Sequence, residues 1–196
     1  TRLREPMLNI SGIILCGGFS RRMGQDKGLM PYKGQAMVLN VAKGFAGAKE
    51  LLLNCNQHEG EYQSLGFKTF SDHSYGDIEA HAGPLLGMLS AMEEAKYDWL
   101  LFSPCDTPDI PANYLQVMAQ HASDQLAFAC VAYDGERQQH LHALIHKKHK
   151  ESLMMFLLSG RRRSSEWLES LKPVQVNFAK EQSSFSNINT MEDWPV

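Results

Sequence analysis

Residues Ile13 to Gly28 read IILCGGFSRRMGQDKG, a short apolar run that leads directly into a basic, glycine-rich connection. The apolar run, extended back to Ser11, predicts a first strand that ends at Leu15. The connection combines bare backbone N–H groups with fixed positive charge, a combination that favours polyphosphate binding. It carries Gly17, Gly18, Gly24, Arg21, Arg22 and Lys27. We therefore expect this loop to hold a nucleoside triphosphate.

The loop matches neither of the common glycine-rich phosphate motifs. No Lys-Ser or Lys-Thr pair follows Gly24, which excludes a P-loop, and the glycine spacing is not the G-x-G-x-x-G pattern of dinucleotide-binding domains. The alternative is a tight turn at Gly17-Gly18 surrounded by solvated charges. Short glycine signals do not by themselves decide between these two interpretations.

The chain has the size and composition of one globular domain, with 196 residues of which 43% are hydrophobic and 21% charged. We expect that domain to span 8–196, with 1–7 as a terminal extension. The formal net charge of −3 argues against a non-specific nucleic-acid binder, which needs a broad basic surface.

The cysteines and the apolar runs indicate the compartment. The four cysteines are widely spaced and form no C-x-x-C pair, which predicts a reducing environment rather than a zinc ribbon or a disulfide framework. The sequence has no apolar run of membrane-spanning length and no signal-peptide pattern near its start. We therefore expect a cytoplasmic protein that binds neither nucleic acid nor membrane.

Short apolar runs alternate with segments of helical period, which is the pattern of βαβ units. After the first strand, strands are predicted at 51–54, 67–70, 99–102, 128–132, 141–145 and 174–178. Helices are predicted at 37–48, 59–65, 85–95, 112–121, 152–158 and 166–171. The fold class is therefore α/β, with a mostly parallel sheet and helices on both faces.

The strand predicted at 99–102 is followed by Ser103-Pro104-Cys105-Asp106. A carboxylate at this position lies beyond the carboxyl end of a parallel strand, where open α/β sheets bind ligands. Next to a basic glycine loop from another strand, Asp106 can hold Mg²⁺, which prefers one or two carboxylates together with phosphate oxygens. The competing interpretation is that Asp106 caps a helix that starts near Pro108.

Four motifs, in this order along the chain, resemble the molybdenum cofactor guanylyltransferase (MobA) family. They are LCGGFSRRMGQDKG, Gly83-Pro84-Leu85-Leu86-Gly87, Pro104-Cys105-Asp106-Thr107-Pro108 and Asn187-Ile188-Asn189-Thr190. The resemblance covers nearly the whole chain and implies a single-domain, three-layer nucleotidyltransferase fold similar to the Rossmann arrangement. It also implies that the terminal phosphate of molybdopterin attacks the α-phosphorus of GTP, which releases pyrophosphate and forms molybdopterin guanine dinucleotide.

The resemblance also implies roles for residues on the nucleotide side. Arg22 and Lys27 match phosphate-contacting positions, and Asp106 matches the Mg²⁺ ligand, so these three residues form the expected catalytic set. Asn54 and Asp72 match positions that contact guanosine, and the segment from Gly83 to Leu85 resembles the one that shapes the base pocket. The expected GTP-binding residues are Leu15, Cys16, Gly17, Gly18, Lys27, Asn54, Asp72, Gly83, Pro84, Leu85 and Asp106.

On the acceptor side, the loop Asp134-Gly135-Glu136-Arg137 resembles the loop that lines the molybdopterin site in this family. Asn187 and Asn189 match its late Asn-x-Asn-Thr motif. The expected acceptor residues are therefore Asp134, Gly135, Arg137, Asn187 and Asn189. Two positions depart from the family pattern. Cys16 stands where a small residue is usual, and Leu141 follows His140 where proline is common; the second departure concerns the acceptor loop.

The implied reaction needs no strong protein base, because a phosphate monoester is already largely ionised near neutral pH. Positioning and charge neutralisation should dominate, which gives Lys27 and Asp106 electrostatic roles. The resemblance implies Mg²⁺ as cofactor, GTP and molybdopterin as substrates, and molybdopterin-handling proteins and molybdoenzyme chaperones as partners. The alternatives are a molybdopterin cytidylyltransferase, a sugar-phosphate nucleotidyltransferase, or a non-catalytic nucleotide-binding cofactor carrier.

Two further clusters invite a functional interpretation. His140, His142 and His146 would share one face only of an unbroken strand, and no cysteine or carboxylate pattern accompanies them, so we do not favour a zinc site. The basic run from Arg161 to Arg163 follows Gly160 and is more typical of a solvated or helix-terminal surface than of a ligand site.

Overall fold

The computed structural model describes residues 8–17, 26–80 and 82–188. Seven strands form the main sheet: β1 (Ile10–Leu15), β4 (Glu50–Asn54), β5 (Lys68–Phe70), β6 (Trp99–Pro104), β7 (Ala129–Tyr133), β8 (Gln138–His146) and β9 (Val174–Asn177). A small hairpin consists of β2 (Pro31–Tyr32) and β3 (Gln35–Ala36). The helices are α1 (Met37–Ala42), α2 (Glu59–Ser64), α3 (Pro84–Glu94), α4 (Tyr114–Asp124), α5 (Lys150–Leu158) and α6 (Ser164–Ser170). Short 3-10 turns occur at Lys27–Leu29, Lys43–Phe45, Lys147–His149 and Ala179–Phe185.

The strand order in the main sheet is β5-β4-β1-β6-β8-β7-β9. All neighbouring pairs are parallel except the two that involve β8, which runs opposite to the other six strands. Within the main sheet, the strand that follows β1 in the chain is β4, on one side of it, and the strand that follows β6 is β7, on the opposite side. A ligand crevice is expected outside the carboxyl ends of two such neighbouring strands. We call this side of the sheet the carboxyl edge.

Helices cover both faces of the sheet, which confirms the predicted three-layer α/β fold. One core contains α1, α2 and α4 packed on residues such as Ile14 and Leu101. The opposite core contains α3, α5 and α6 packed on residues such as Ile13 and Leu100. Every residue of β1 is buried, as expected for a strand covered on both faces, and this burial explains its continuous apolar run.

Several predicted boundaries differ from the structure. The helix predicted at 37–48 is α-helical only to Ala42 and then tightens into a 3-10 turn, where Gly44 packs so closely against Ile110 that a Cβ would not fit. The helix predicted from residue 112 starts at Tyr114. The hairpin β2–β3 was not predicted, because strands of two residues are too short to show an alternating pattern.

The strand predicted at 141–145 is longer in the structure and spans Gln138–His146. Its pairing with β7 jumps from Ala143 to Gln139 between Val131 and Ala132, so residues 140–142 form a bulge. Among the described residues, no helix is long and apolar enough to cross a lipid bilayer.

Candidate active site

Lys27 and Asp106 meet at the carboxyl edge, beyond the ends of β1 and β6. Lys27 begins the 3-10 turn Lys27–Leu29, which the side chain of Asp26 caps by accepting a hydrogen bond from the backbone of Gly28 at 3.1 Å. The Tyr62 hydroxyl also donates to Asp26 and fixes the same turn. The Lys27 Nζ lies 3.5 Å from Asp106 Oδ2, and both side chains are about one-fifth exposed, at 22% and 18%. The pairing of a basic loop with Asp106 therefore exists in the structure.

The two oxygens of the Asp106 carboxyl differ in their partners, and only Oδ2 pairs with Lys27. Its Oδ1 is buried and has no hydrogen-bond partner among the described residues. Burial raises the pKa of the Asp106 carboxyl, and nearby Lys27 lowers it only in part, so the pKa lies above its ordinary value. A buried oxygen without a partner suits a hard cation, since Mg²⁺ takes one or two carboxylates and completes its shell with water and phosphate oxygens. The residues present therefore fit Mg²⁺.

The Asp106 turn is held by its neighbours on three sides. The Thr107 hydroxyl lies 2.9 Å from His142 Nε2 on β8, and both residues are buried. Burial lowers the pKa of His142 to about 3, so this imidazole is neutral at physiological pH. The backbone of Ile188 donates to the Asp106 carbonyl at 2.8 Å, and the backbone of Cys105 donates to the Leu15 carbonyl at 3.2 Å. Because α4 begins only at Tyr114, Asp106 is not a helix cap.

Asn54 occupies a second part of the carboxyl edge, at the end of β4. It is buried, and its Nδ2 donates to Asp72 Oδ1 at 3.0 Å. Its Oδ1 lies so close to Gly17 and Gly87 that a Cβ on Gly17 would approach it to 2.9 Å, and one on Gly87 would overlap it. Two motif glycines are therefore required by the packing of one asparagine side chain.

Asn56 completes this group, and the sequence analysis did not identify it. Its Nδ2 donates to Asp72 Oδ2 at 2.9 Å, while its Oδ1 accepts from the Asp72 backbone at 2.9 Å. Both carboxylate oxygens of Asp72 thus receive a hydrogen bond from an asparagine. The signal that was available was its polar character two residues beyond the predicted strand end at Asn54.

The segment from Gly83 to Leu85 forms the start of α3. Gly83 has φ of +81°, a left-handed conformation that favours glycine, and Pro84 lies in the first turn as predicted. The Leu85 side chain is fully buried in the core, so only its backbone can contact a ligand. The same holds for Leu15 and Cys16, whose side chains are buried. Burial also raises the pKa of the Cys16 thiol well above its ordinary value.

On the acceptor side, Asp134 shapes the turn between β7 and β8. Its Oδ1 accepts from the backbones of Glu136 and Arg137, each at 2.9 Å, and its Oδ2 accepts from Gln139 at 2.6 Å. Burial raises the pKa of Asp134, and these hydrogen bonds outweigh it and bring the pKa below its ordinary value. Gly135 has φ of +102°. The side chains of Glu136 and Arg137 are both exposed, and Arg137 is the one that carries positive charge toward an anionic ligand.

Asn187 is exposed beside Ile188, whose backbone bond to Asp106 brings this segment to the carboxyl edge. Gly18, Arg22 and Asn189, to which the resemblance gives roles, lie outside the described residues.

The three histidines of β8 lie in three different surroundings. His142 faces Thr107, His140 Nε2 lies 3.4 Å from Glu169, and His146 packs edge-on against Trp99 and Phe128. The bulge at 140–142 separates them, and the described part of the chain contains no group of three or more His, Cys, Asp or Glu side chains suited to a metal. In the basic run, Arg161 pairs with Glu166 and Arg162 donates to the Leu157 carbonyl at 2.7 Å.

Comparisons with known proteins agree with this geometry. Residues 12–174 match the family described as MobA-like NTP transferase domain. The molybdenum cofactor guanylyltransferase of Haemophilus influenzae is 35% identical over 188 residues, which cover 95% of this chain and 96% of that protein. The enzyme of the same name from Shewanella putrefaciens is 36% identical over 188 residues, which cover 95% and 94%.

Solved structures share the fold. Molybdopterin-guanine dinucleotide biosynthesis protein A from Archaeoglobus fulgidus superposes with a TM-score of 0.73 at 20% identity, covering 93% of this chain and 94% of that one. A nucleotidyl transferase from Methanothermobacter thermautotroptrophicus gives a TM-score of 0.71 at 18% identity, covering 94% of both chains. On the match over residues 12–174 and on these full-length relatives, this chain belongs to the family of MobA-like NTP transferase domains.

Proposed function

We propose that this protein transfers GMP from GTP to the terminal phosphate of molybdopterin. An oxygen of that phosphate attacks the α-phosphorus, the bond from the α-phosphorus to the bridging oxygen of the β-phosphate breaks, and pyrophosphate leaves. The product is molybdopterin guanine dinucleotide. Relatives named molybdenum cofactor guanylyltransferase, which align over nearly the full length of the chain, support this proposal. The observation that carries it is the meeting of Lys27 and Asp106 beyond the carboxyl ends of β1 and β6.

Lys27 supplies positive charge from the loop after β1. Its ammonium group, 3.5 Å from Asp106, is placed to bind a phosphate oxygen beside the carboxylate and to stabilise charge on the departing pyrophosphate. Asp106 would hold Mg²⁺ through its unpartnered Oδ1. When bound, Mg²⁺ neutralises phosphate charge during an in-line displacement. No protein base is required, since the attacking phosphate is already ionised near neutral pH.

The group formed by Asn54, Asn56 and Asp72 is proposed to face the nucleoside. It lies at the end of β4, on the side of β1 away from β6. The start of α3 borders it through the contact between Gly87 and Asn54. Arg137 and Asn187 are proposed to contact the acceptor, because both have exposed side chains that can form hydrogen bonds.

The remaining parts of the proposal concern the cell. Molybdopterin-handling proteins and molybdoenzyme chaperones are proposed as protein partners that supply the acceptor and receive the product. The cytoplasm is proposed as the site of action, in keeping with four cysteines that are all buried free thiols.

Pyrophosphate release, measured with GTP and with CTP, each with and without molybdopterin and Mg²⁺, tests this proposal. We expect release only with GTP, molybdopterin and Mg²⁺ together. A preference for CTP would indicate the cytidylyl-transferring alternative, and turnover with a sugar phosphate as acceptor would indicate a sugar-phosphate nucleotidyltransferase. Tight GTP binding without turnover would indicate a cofactor carrier. Each of these results would replace the proposed reaction.

A further inference from the structure

His73 lies directly after Asp72 and is held between two carboxylates. Its Nδ1 is 2.9 Å from Glu93 Oε2, and its Nε2 is 2.8 Å from Glu94 Oε1. Both glutamates belong to the last turn of α3. A neutral imidazole carries only one N–H and can donate to only one of them, whereas an imidazolium donates to both. The geometry therefore favours a protonated His73.

The surroundings of His73 favour this charged form. Partial burial pulls the pKa of His73 down, and the hydrogen bonds to Glu93 and Glu94 outweigh it, so the pKa lies above its usual range. Lys150 on α5 also pairs with Glu93, at 2.7 Å, and Tyr75 lies beside the ring with 6.1 Å between the ring centroids. The charged and titratable groups around His73 are thus Glu93, Glu94, Lys150, Tyr75 and its neighbour Asp72.

The backbone of His73 is anchored separately. Its N–H donates to Ser90 Oγ at 2.9 Å, and Ser90 is a buried residue in the middle of α3 whose hydroxyl donates to the Leu86 carbonyl. Residue 73 is therefore fixed to α3 at two points, by its ring and by its backbone. The adjacent peptide carries Asp72, whose carboxylate receives Asn54 and Asn56.

We propose that His73 is a positioning residue for the nucleoside half of the site, acting through Asp72 on the two asparagines. The two ion pairs fix the turn after β5 to α3, and this fixes the Asp72 carboxylate that orients Asn54 and Asn56. Loss of the imidazole proton removes one of the two hydrogen bonds and leaves a carboxylate facing a nitrogen lone pair. GTP binding then weakens as the pH rises through the pKa of His73. This inference rests on the proposed function, because it takes GTP as the nucleotide.

The test compares His73→Gln with the wild type, with Glu94→Gln as a milder variant and His121→Gln as the control. Glu94 has His73 as its ion-pair partner, so Glu94→Gln leaves the pair between Glu93 and Lys150 intact. His121 is a histidine on α4, in the opposite layer, where its ring bonds to the Val117 carbonyl of its own helix. All four proteins are assayed for GTP dissociation constant, KM and kcat from about pH 5 to about pH 9, a range that includes the ordinary histidine pKa near 6.5 and extends above it.

We expect His73→Gln to raise the dissociation constant and KM for GTP about fivefold at low pH, with kcat nearly unchanged, since bound GTP and the transition state lose the same binding energy. The affinity of the wild type and of His121→Gln for GTP should fall as the pH rises. This fall should be smaller in His73→Gln, which has no imidazole to lose a proton. A His73→Gln protein with the wild-type dissociation constant and pH profile would overturn the inference.

A second readout does not depend on the substrate. Amide hydrogen exchange of residues 71–75, measured without nucleotide, should be faster in His73→Gln than in the wild type and in His121→Gln. Faster exchange with unchanged GTP affinity would overturn the positioning role. If the wild type binds no GTP at any pH while exchange responds as expected, the proposed function fails and the attachment of this turn to α3 stands.

Discussion

Asp106 and Asp72 each lie two residues beyond the end of a strand, and the residue after each one anchors its turn by different chemistry. After Asp106, Thr107 is bound by the buried, neutral His142. After Asp72, His73 is bound by two partly exposed carboxylates, which favour its charged form and raise its pKa. The first anchor depends on burial and tolerates changes of pH near neutrality. The second depends on a proton, and its groups are partly open to water.

The two regions also differ in what they hold. The Asp106 turn carries a carboxyl oxygen that has no partner in the described part of the chain, and this oxygen is suited to a metal ion. The Asp72 turn has both carboxyl oxygens engaged by asparagines, so it shapes a surface rather than offering a charge. We therefore expect changes at the Asp106 turn to affect turnover and changes at the Asp72 turn to affect nucleotide affinity.

The largest expected effect comes from the pair of variants Asp106→Asn and Asp72→Asn. Asp106→Asn should lower kcat by about 10²-fold or more, the usual cost of removing one electrostatic contact to developing charge. Asp72→Asn should mainly raise KM for GTP. Steady-state pyrophosphate release at limiting and saturating GTP separates the two, with thermal unfolding as the control for folding. An equal loss of kcat in both variants would contradict the division between the two turns.

A smaller effect is expected in the pH dependence of stability. Histidine has a pKa near 6.5 in the unfolded chain, whereas burial holds the pKa of His142 at about 3 in the folded protein. Between these values the unfolded state binds a proton that the folded state does not, so the free energy of unfolding falls as the pH falls. The contribution of His73 to the free energy of unfolding depends on pH in the opposite direction. It is complete below the pKa of histidine in the unfolded chain and is lost as the pH rises through the raised pKa of His73 in the folded protein.

Urea unfolding at a series of pH values measures these contributions. The wild type should lose more stability on acidification than His142→Gln does, and the difference between them isolates His142 from the ordinary carboxylates. If the two proteins had parallel acid profiles, His142 would not be the buried neutral group described above.

The smallest expected effect compares the two anchors near neutral pH. Thr107→Val keeps the shape of the side chain and removes the hydroxyl that His142 contacts, which should lower the free energy of unfolding by about 1 to 2 kcal/mol. His73→Gln should change it by less than about 1 kcal/mol, because its ion pairs are partly exposed. Thermal or urea unfolding at pH 7 measures both. A larger loss in His73→Gln would reverse the comparison.

The sequence predicted those site residues that follow apolar runs. Asn54 and Asp106 each lie at or just beyond the carboxyl end of a strand, and Pro84 lies in the first turn of a helix, as expected. These positions are local, because a strand end and a helix start are set by neighbouring residues. Lys27 and Asp106 come together because β1 and β6 are parallel neighbours, so the segments that follow these strands lie at the same edge of the sheet.

The anchors behind the site residues could not be predicted in the same way. Thr107 and His142 are 35 residues apart, and their contact depends on the register of the bulged β8. His73 meets Glu93 and Glu94 only because the loop after β5 crosses α3. Alternation along β8 did not mark His142 as an inward-facing residue, because Ala143 and Leu144, on opposite faces of the strand, are both buried.

The reversed direction of β8 has a consequence for how new specificities can arise on this scaffold. Because β7 and β8 form a hairpin, the turn that presents Arg137 reaches the carboxyl edge without a crossover helix. Strand β4, which carries Asn54, and strand β1, which the segment with Lys27 follows, lie on the other side of β6. If this turn contacts the acceptor as proposed, we expect that its residues can be exchanged for a different second substrate while the nucleotide half keeps its architecture.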